Sequence, residues 1–292
     1  VHITLPLVLL ALLLFAAAMS TPYQEIRDAM QRPLLLLFGL AGVWVGPVLL
    51  VAVVGSFFRE TLPPGVLVGL VLVASMPVAN SSVGWSHNAG GNLALSLGLI
   101  LFSISLSPWV TPAVLRLLGF SLSVTEQTYT TALVSRFSGK FFIVWVILPT
   151  LVGFVCRYLA GPKWIERYGG AVSLLSAAAL LALNYVNGAL AMPQMSGVEQ
   201  LPTVAVTVVL AAALSLLGML LALAVTTGLR QQADVQAPLV FGLSMKHTGL
   251  ALVLAGTVLA DQPGAILMIV VATIVQHVAA GAMQWWLQRG EV

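Results

Sequence analysis

The chain has 292 residues, of which 60% are hydrophobic and only 7% charged, with a mean hydropathy of +1.05. That composition excludes a water-soluble globular domain and identifies an integral membrane protein. The 12 basic and 9 acidic residues give a net charge of +3, but they lie near the ends of apolar stretches, so no basic face exists on which a nucleic acid could bind. A single cysteine, Cys156, excludes an intrachain disulfide, and with no CxxC or Cys/His cluster no metal, redox pair or cofactor is expected.

On a ruler of about 20 apolar residues per spanning helix, the sequence predicts an all-α polytopic fold of about nine transmembrane helices. No Lys or Arg precedes the first apolar run, so it does not read as a cleaved leader and is expected to remain as a helix, Ile3 to Ser20. A short amphipathic linker, Tyr23 to Arg32, follows. The next spans are Pro33 to Phe58, Pro64 to Trp85, Asn92 to Leu118, Ala132 to Tyr158, Tyr168 to Leu190, Pro202 to Leu229, Ala237 to Leu259 and Pro263 to Leu287.

Two of these spans carry islands of polar and helix-breaking residues. The first is Met76-Pro77-Val78-Ala79-Asn80-Ser81-Ser82-Val83-Gly84, and the second is Gly242-Leu243-Ser244-Met245-Lys246-His247-Thr248-Gly249. Unwound backbone survives at membrane depth only around a cavity, and paired interruptions in two halves of a chain point to a transporter's binding site. If the two breaks are equivalent, the third span matches the eighth, the fourth the ninth, the second the seventh and the first the sixth. The fifth then has no partner. An inverted repeat of five plus five helices without its first member accounts for this. Lysines and arginines outside the breaks divide seven to four in favour of a cytoplasmic C-terminus, in a plasma (inner) membrane.

Lys246 is the only charge expected deep in the bilayer, where an unpaired ammonium costs at least ~2.5 kcal/mol. No Asp or Glu lies at similar depth in any span. Crossover carbonyls, an anionic substrate or deprotonation could offset that cost, whereas snorkelling to an interface would avoid it. Asn80, Ser81, Ser82, His247 and Thr248 complete the candidate substrate site. For Asn80 and Ser81 the plainer role is to cap the broken helix, and for His277 it is to donate within the core. Asn184 and Asn187 share a helix face, which suits an interhelical hydrogen bond.

The run from Met76 to Pro112, MPVANSSVGWSHNAGGNLALSLGLILFSISLSPWVTP, resembles the bile acid:sodium symporter family. Asn92-Leu93-Ala94-Leu95-Ser96 and Ser107-Pro108-Trp109-Val110-Thr111-Pro112 reproduce its Asn-x-Ala-Leu-Ser helix and Ser-Pro-x-x-Thr-Pro ending. Met245-Lys246-His247-Thr248-Gly249-Leu250 resembles its second crossover, Met-Gln-Asn-Ser-Gly-Leu, and Gln276-His277-Val278-Ala279-Ala280-Gly281 resembles its final helix.

The resemblance implies two crossed broken helices near 76–84 and 242–249, with substrate held between two domains. It implies a panel domain (1–20 and 132–190) that moves against a core domain (33–118 and 202–289), giving alternating access. It also implies sodium ligands, and here the chain departs from the family. Ser82 and Ser96 match, but the positions of the family's other five ligands are Gly42, Val83, Ile100, Gly242 and Lys246. Lys246 would supply a fixed positive charge in place of the ion.

The expected function is therefore transport of a small organic anion, with sodium coupling lost or altered and Lys246 as cation surrogate or proton-coupling group. Uniport, proton symport and anion exchange all fit. The alternatives are a sodium symporter with rearranged ligands, a sensor that keeps the fold without cycling, and a membrane enzyme. The last has no HExxH, paired aspartates or GxSxG to support it.

Overall fold

The structure, a computed structural model, describes residues 4–20, 23–63, 65–137, 140–191 and 201–289. Every regular element among the described residues is helical. In chain order these are α1 (Leu5–Ser20), α2 (Tyr23–Ala29), α3 (Pro33–Phe58), α4 (Val66–Ser75), α5 (Ser82–Asn88), α6 (Leu93–Gly119) and α7 (Val124–Phe137). A single turn, α8 (Lys140–Phe142), then enters a π-helical stretch, Ile143–Ile147, that runs into α9 (Leu148–Ala191). The last four are α10 (Leu201–Gly228), α11 (Ala233–Ser244), α12 (Thr248–Val258) and α13 (Pro263–Arg289).

Among the described residues, five stretches are long and apolar enough to cross a membrane: Pro33–Phe58, Leu93–Gly119, Ile143–Gly161, Leu201–Gly228 and Pro263–Arg289. Their outward faces are apolar too. On α3, Leu34, Leu37, Leu49 and Phe57 are all more than half exposed, Phe57 at 75%, while Val43 and Val51 on the other side are fully buried. A helix apolar on both faces has a core on one side and lipid on the other. The protein is an integral membrane protein.

The helix ends follow local chemistry. Pro33 opens α3, where its missing N–H costs nothing. The Asn92 side chain accepts from Leu95 N at 2.9 Å to start α6. The fifth predicted span is the one the structure redraws. Ser123 and Glu126 form a capping box, with Ser123 N donating to Glu126 Oε2 at 3.1 Å and Glu126 N to Ser123 Oγ at 3.4 Å. That box starts a separate helix, α7, before Ala132, and the spanning stretch begins only at Ile143. Within α9 the chain bends at Gly161, whose φ of 73° and ψ of 170° suit glycine alone. The side chains of Asn184 and Asn187 lie outside the described residues.

Packing centres on the two short, buried helices that precede the breaks. α4 touches α3, α6, α10 and α13, and α11 touches α3, α5, α6 and α10. α1 lies along α9. Close approach at Gly218 seats α11 on α10: a Cβ there would stand 2.5 Å from the Leu243 carbonyl oxygen, a backbone atom that cannot move aside. Gly218→Val is therefore expected to destabilise the protein by about 3 kcal/mol, an overpacking cost, seen as a lower melting temperature in detergent.

Prolines inside helices free carbonyls four residues back, and three of these have found other donors. Pro108 frees Ile104 O, which accepts from Ser107 Oγ at 2.7 Å. Pro238 frees Asp234 O, which accepts from Asn92 N at 2.6 Å. Pro47 frees Val43 O, which accepts from the amino group of Lys246.

Candidate functional site

The helix α4 stops at Ser75 because Pro77 cannot continue it; Met76 is extended, residues 76–79 are non-helical, and a turn at Asn80-Ser81 leads into α5. The second break is shorter, residues 245–247, between α11 and α12. The two breaks pair with one another. Val78 and Lys246 form an antiparallel bridge, in which Ala79 N donates to Met245 O at 3.0 Å and His247 N to Pro77 O at 2.9 Å.

Neighbouring helices satisfy further backbone groups at the breaks, as burial demands. Ser75 O, at the cut end of α4, accepts from Trp44 Nε1 at 3.1 Å and from Thr111 Oγ1 at 2.8 Å. Val78 N donates to Ser103 Oγ at 3.1 Å. Gln276 brackets Lys246: its Oε1 accepts from Lys246 N at 3.0 Å and its Nε2 donates to Lys246 O at 3.3 Å. Sequence reasoning gave no site role to Trp44, Ser103, Thr111 or Gln276. A polar side chain inside an apolar span, facing a predicted break, is the signal that marks each of them.

Beside the crossing lies a cavity of about 520 Å³, lined mostly by aliphatic side chains from α1, α5 and α6. Its polar lining includes Asn80, Ser81, Lys246, His247, Thr248, Gln276 and His277. Of the six predicted substrate-site residues, five reach this cavity, and Ser82 is buried in the first turn of α5. Neither Asn80 nor Ser81 caps α5: Ser81 makes no side-chain cap bond, and both amide atoms of Asn80 are buried without a partner among the described residues. His247 does cap α12, its Nδ1 accepting from Leu250 N at 3.2 Å. The proton therefore sits on Nε2, which is buried and unpartnered. His277 Nδ1 donates to Thr273 O at 2.7 Å, the core role expected of it.

Lys246 does not snorkel. It is 1% exposed, and its amino group donates to the Val43 carbonyl of α3 rather than to a carbonyl of either break. No carboxylate pairs with it among the described residues, whose ion pairs are Arg32 with Asp234 and Arg59 with Glu60.

The seven positions of the implied sodium site are poor in oxygen. Val83 and Ile100 present aliphatic groups to the cavity. Ser96 Oγ is engaged with Ser86 Oγ at 2.8 Å. A Cβ at Gly42 would meet Leu243 Cδ2 at 2.6 Å, and one at Gly242 would meet Leu99 Cδ1 at 3.0 Å, so leucines fill the space beside both glycines. Among the described residues no group of three His, Cys, Asp or Glu could hold a metal ion.

The chain is similar to a Bacillus subtilis (strain 168) protein, the uncharacterized YbaS, at 24% identity over 283 residues, covering 97% of this chain and 88% of that one. A family model, "Sodium Bile acid symporter family", matches residues 7–198, a stretch that contains the first break. That family consists of membrane transporters rather than enzymes, and the match over well more than half of the chain makes this protein a member of the sodium bile acid symporter family.

Proposed function

We propose that this member transports a small or amphipathic organic anion, and that Lys246 stands in for a bound cation. In this reading the fold has about nine spans, related as an inverted repeat of five plus five without its first helix. Residues 1–20 and 132–190 form a panel that rocks against a core of residues 33–118 and 202–289, giving alternating access in a plasma membrane with the C-terminus inside. The substrate lies against Asn80, Ser81, Ser82, Lys246, His247 and Thr248, its apolar body among the aliphatic walls and its anionic group toward the crossing.

The observation that carries the reading is the buried amino group of Lys246 at the pairing of the two breaks, with no carboxylate beside it among the described residues. A primary ammonium has three N–H donors. One meets Val43 O, which leaves donors for a substrate carboxylate or sulfonate. The unpartnered His247 Nε2–H and Asn80 amide add neutral donors from the two breaks. The leucines beside Gly42 and Gly242 argue against a sodium ion there.

The test is thermal unfolding in detergent, titrated with NaCl against choline chloride at constant ionic strength. The expected result is no sodium-specific shift. A saturable rise with sodium, following the logarithmic law for a ligand that binds only the native state, would establish a sodium symporter with rearranged ligands instead.

A further inference from the structure

Pro47 lies inside α3, so residue 47 has no N–H to offer the Val43 carbonyl one turn back. Val43 is fully buried, and water cannot repair the loss. The donor that closes this carbonyl is the amino group of Lys246, delivered from the second break. The two comparable carbonyls are closed differently, Ile104 O by a serine of its own helix and Asp234 O by a backbone amide. Only at Pro47, among these three, does a side chain of another element complete the helix. The adjacent residue, Trp44, holds the cut end of α4 through Ser75 O, so one turn of α3 grips both breaks.

We infer that Pro47 is a positioning residue: by withdrawing one helical N–H it turns the Val43 carbonyl into a dedicated socket that seats the amino group of Lys246 at the crossing. The inference deepens the reading of Lys246 as a fixed cation, yet it stands on backbone chemistry, and its test requires no transport. A socket made of one carbonyl takes an N–H donor and refuses a quaternary ammonium, which has none.

The experiment is chemical rescue. Lys246→Ala removes three methylenes and the amine, the groups that n-propylammonium supplies. Thermal unfolding of Lys246→Ala is titrated with n-propylammonium chloride against tetramethylammonium chloride at constant ionic strength. A saturable rise of several degrees is expected with n-propylammonium alone, with no response from the unmutated protein. In Pro47→Ala/Lys246→Ala the rise is lost, because the alanine amide now takes the Val43 carbonyl. A rise that survives Pro47→Ala, or no rise in Lys246→Ala, overturns the inference.

If Lys246→Ala does not fold, Lys246→Met removes the donor while keeping the bulk. Its loss in melting temperature is expected to fall by at least half in the Pro47→Ala background, where the carbonyl is already satisfied. Additive losses would exclude the socket, because a merely structural proline and lysine would not couple. Failure of organic-anion flux with rescue intact would remove the transport reading and leave this one standing.

Discussion

Lys246→Ala is expected to reduce organic-anion flux in proteoliposomes by about 10- to 100-fold. A hydrogen bond to a charged group contributes about 1.5–3 kcal/mol, and each 1.4 kcal/mol corresponds to a tenfold change in affinity. The amino group is buried and faces no carboxylate among the described residues, so a bound anion would be its only opposite charge there. Lys246→Gln should weaken flux without creating sodium dependence. The position where the resemblance calls for a glutamate is Gly242, and Leu99 occupies the space beside it. Unchanged flux in Lys246→Ala, measured with a panel of amphipathic carboxylates and sulfonates, would remove the central claim.

The second large effect is on stability. Gln276→Leu is expected to lower unfolding free energy by about 1–3 kcal/mol, because it leaves one buried backbone N–H unpaired and takes one of two donors from the neighbouring carbonyl. The groups are Lys246 N and Lys246 O, which the Gln276 amide engages at 3.0 and 3.3 Å. Thr248 N also donates to Lys246 O, at 2.7 Å, so the carbonyl loses less than the amide. Gln276→Glu keeps an acceptor for Lys246 N and should retain more of the stability than the leucine variant. Equal melting temperatures for the unmutated protein and Gln276→Leu would mean that the bracket contributes nothing.

Much of this architecture is legible from periodicity and punctuation. α3 and α13 begin at Pro33 and Pro263, as the sequence predicts, and both breaks fall inside the polar islands. Among the described residues hydropathy located the long apolar helices because lipid and core both demand apolar residues, and it blurred the fifth predicted span for the same reason. α7 as a whole is far less apolar than the run after it, but its Ala132-Leu133-Val134 reads as the start of that run, whereas Ser123 and Glu126, three apart, mark the start of α7 through reciprocal capping.

The candidate site was legible in its members and obscure in its connections. Asn80, Ser81, His247 and Thr248 reach one cavity with Lys246, but the partner of Lys246 is a backbone carbonyl, which no side-chain motif announces. The clue lay in Pro47, whose consequence falls one turn earlier. His247 was read as a member of the substrate site beside Lys246. It holds the start of α12 with one nitrogen and keeps the other as a donor, a division that depends on the break's backbone geometry. Asn80 and Ser81 looked like caps because such residues usually are, and the structure leaves α5 without a side-chain cap from either.

The pairing of Val78 with Lys246 also bears on how the protein is made. The two residues belong to opposite ends of the chain, and synthesis delivers the first long before the second. Until α11 and the residues after it arrive, Ala79 N and Pro77 O lack the partners they have in the finished protein. An unsatisfied backbone group in hydrocarbon costs several kcal/mol, so a nascent first half carries an open wound at its centre. These two groups gain their native partners only when the second break docks, so the crossing is expected to close late in biogenesis.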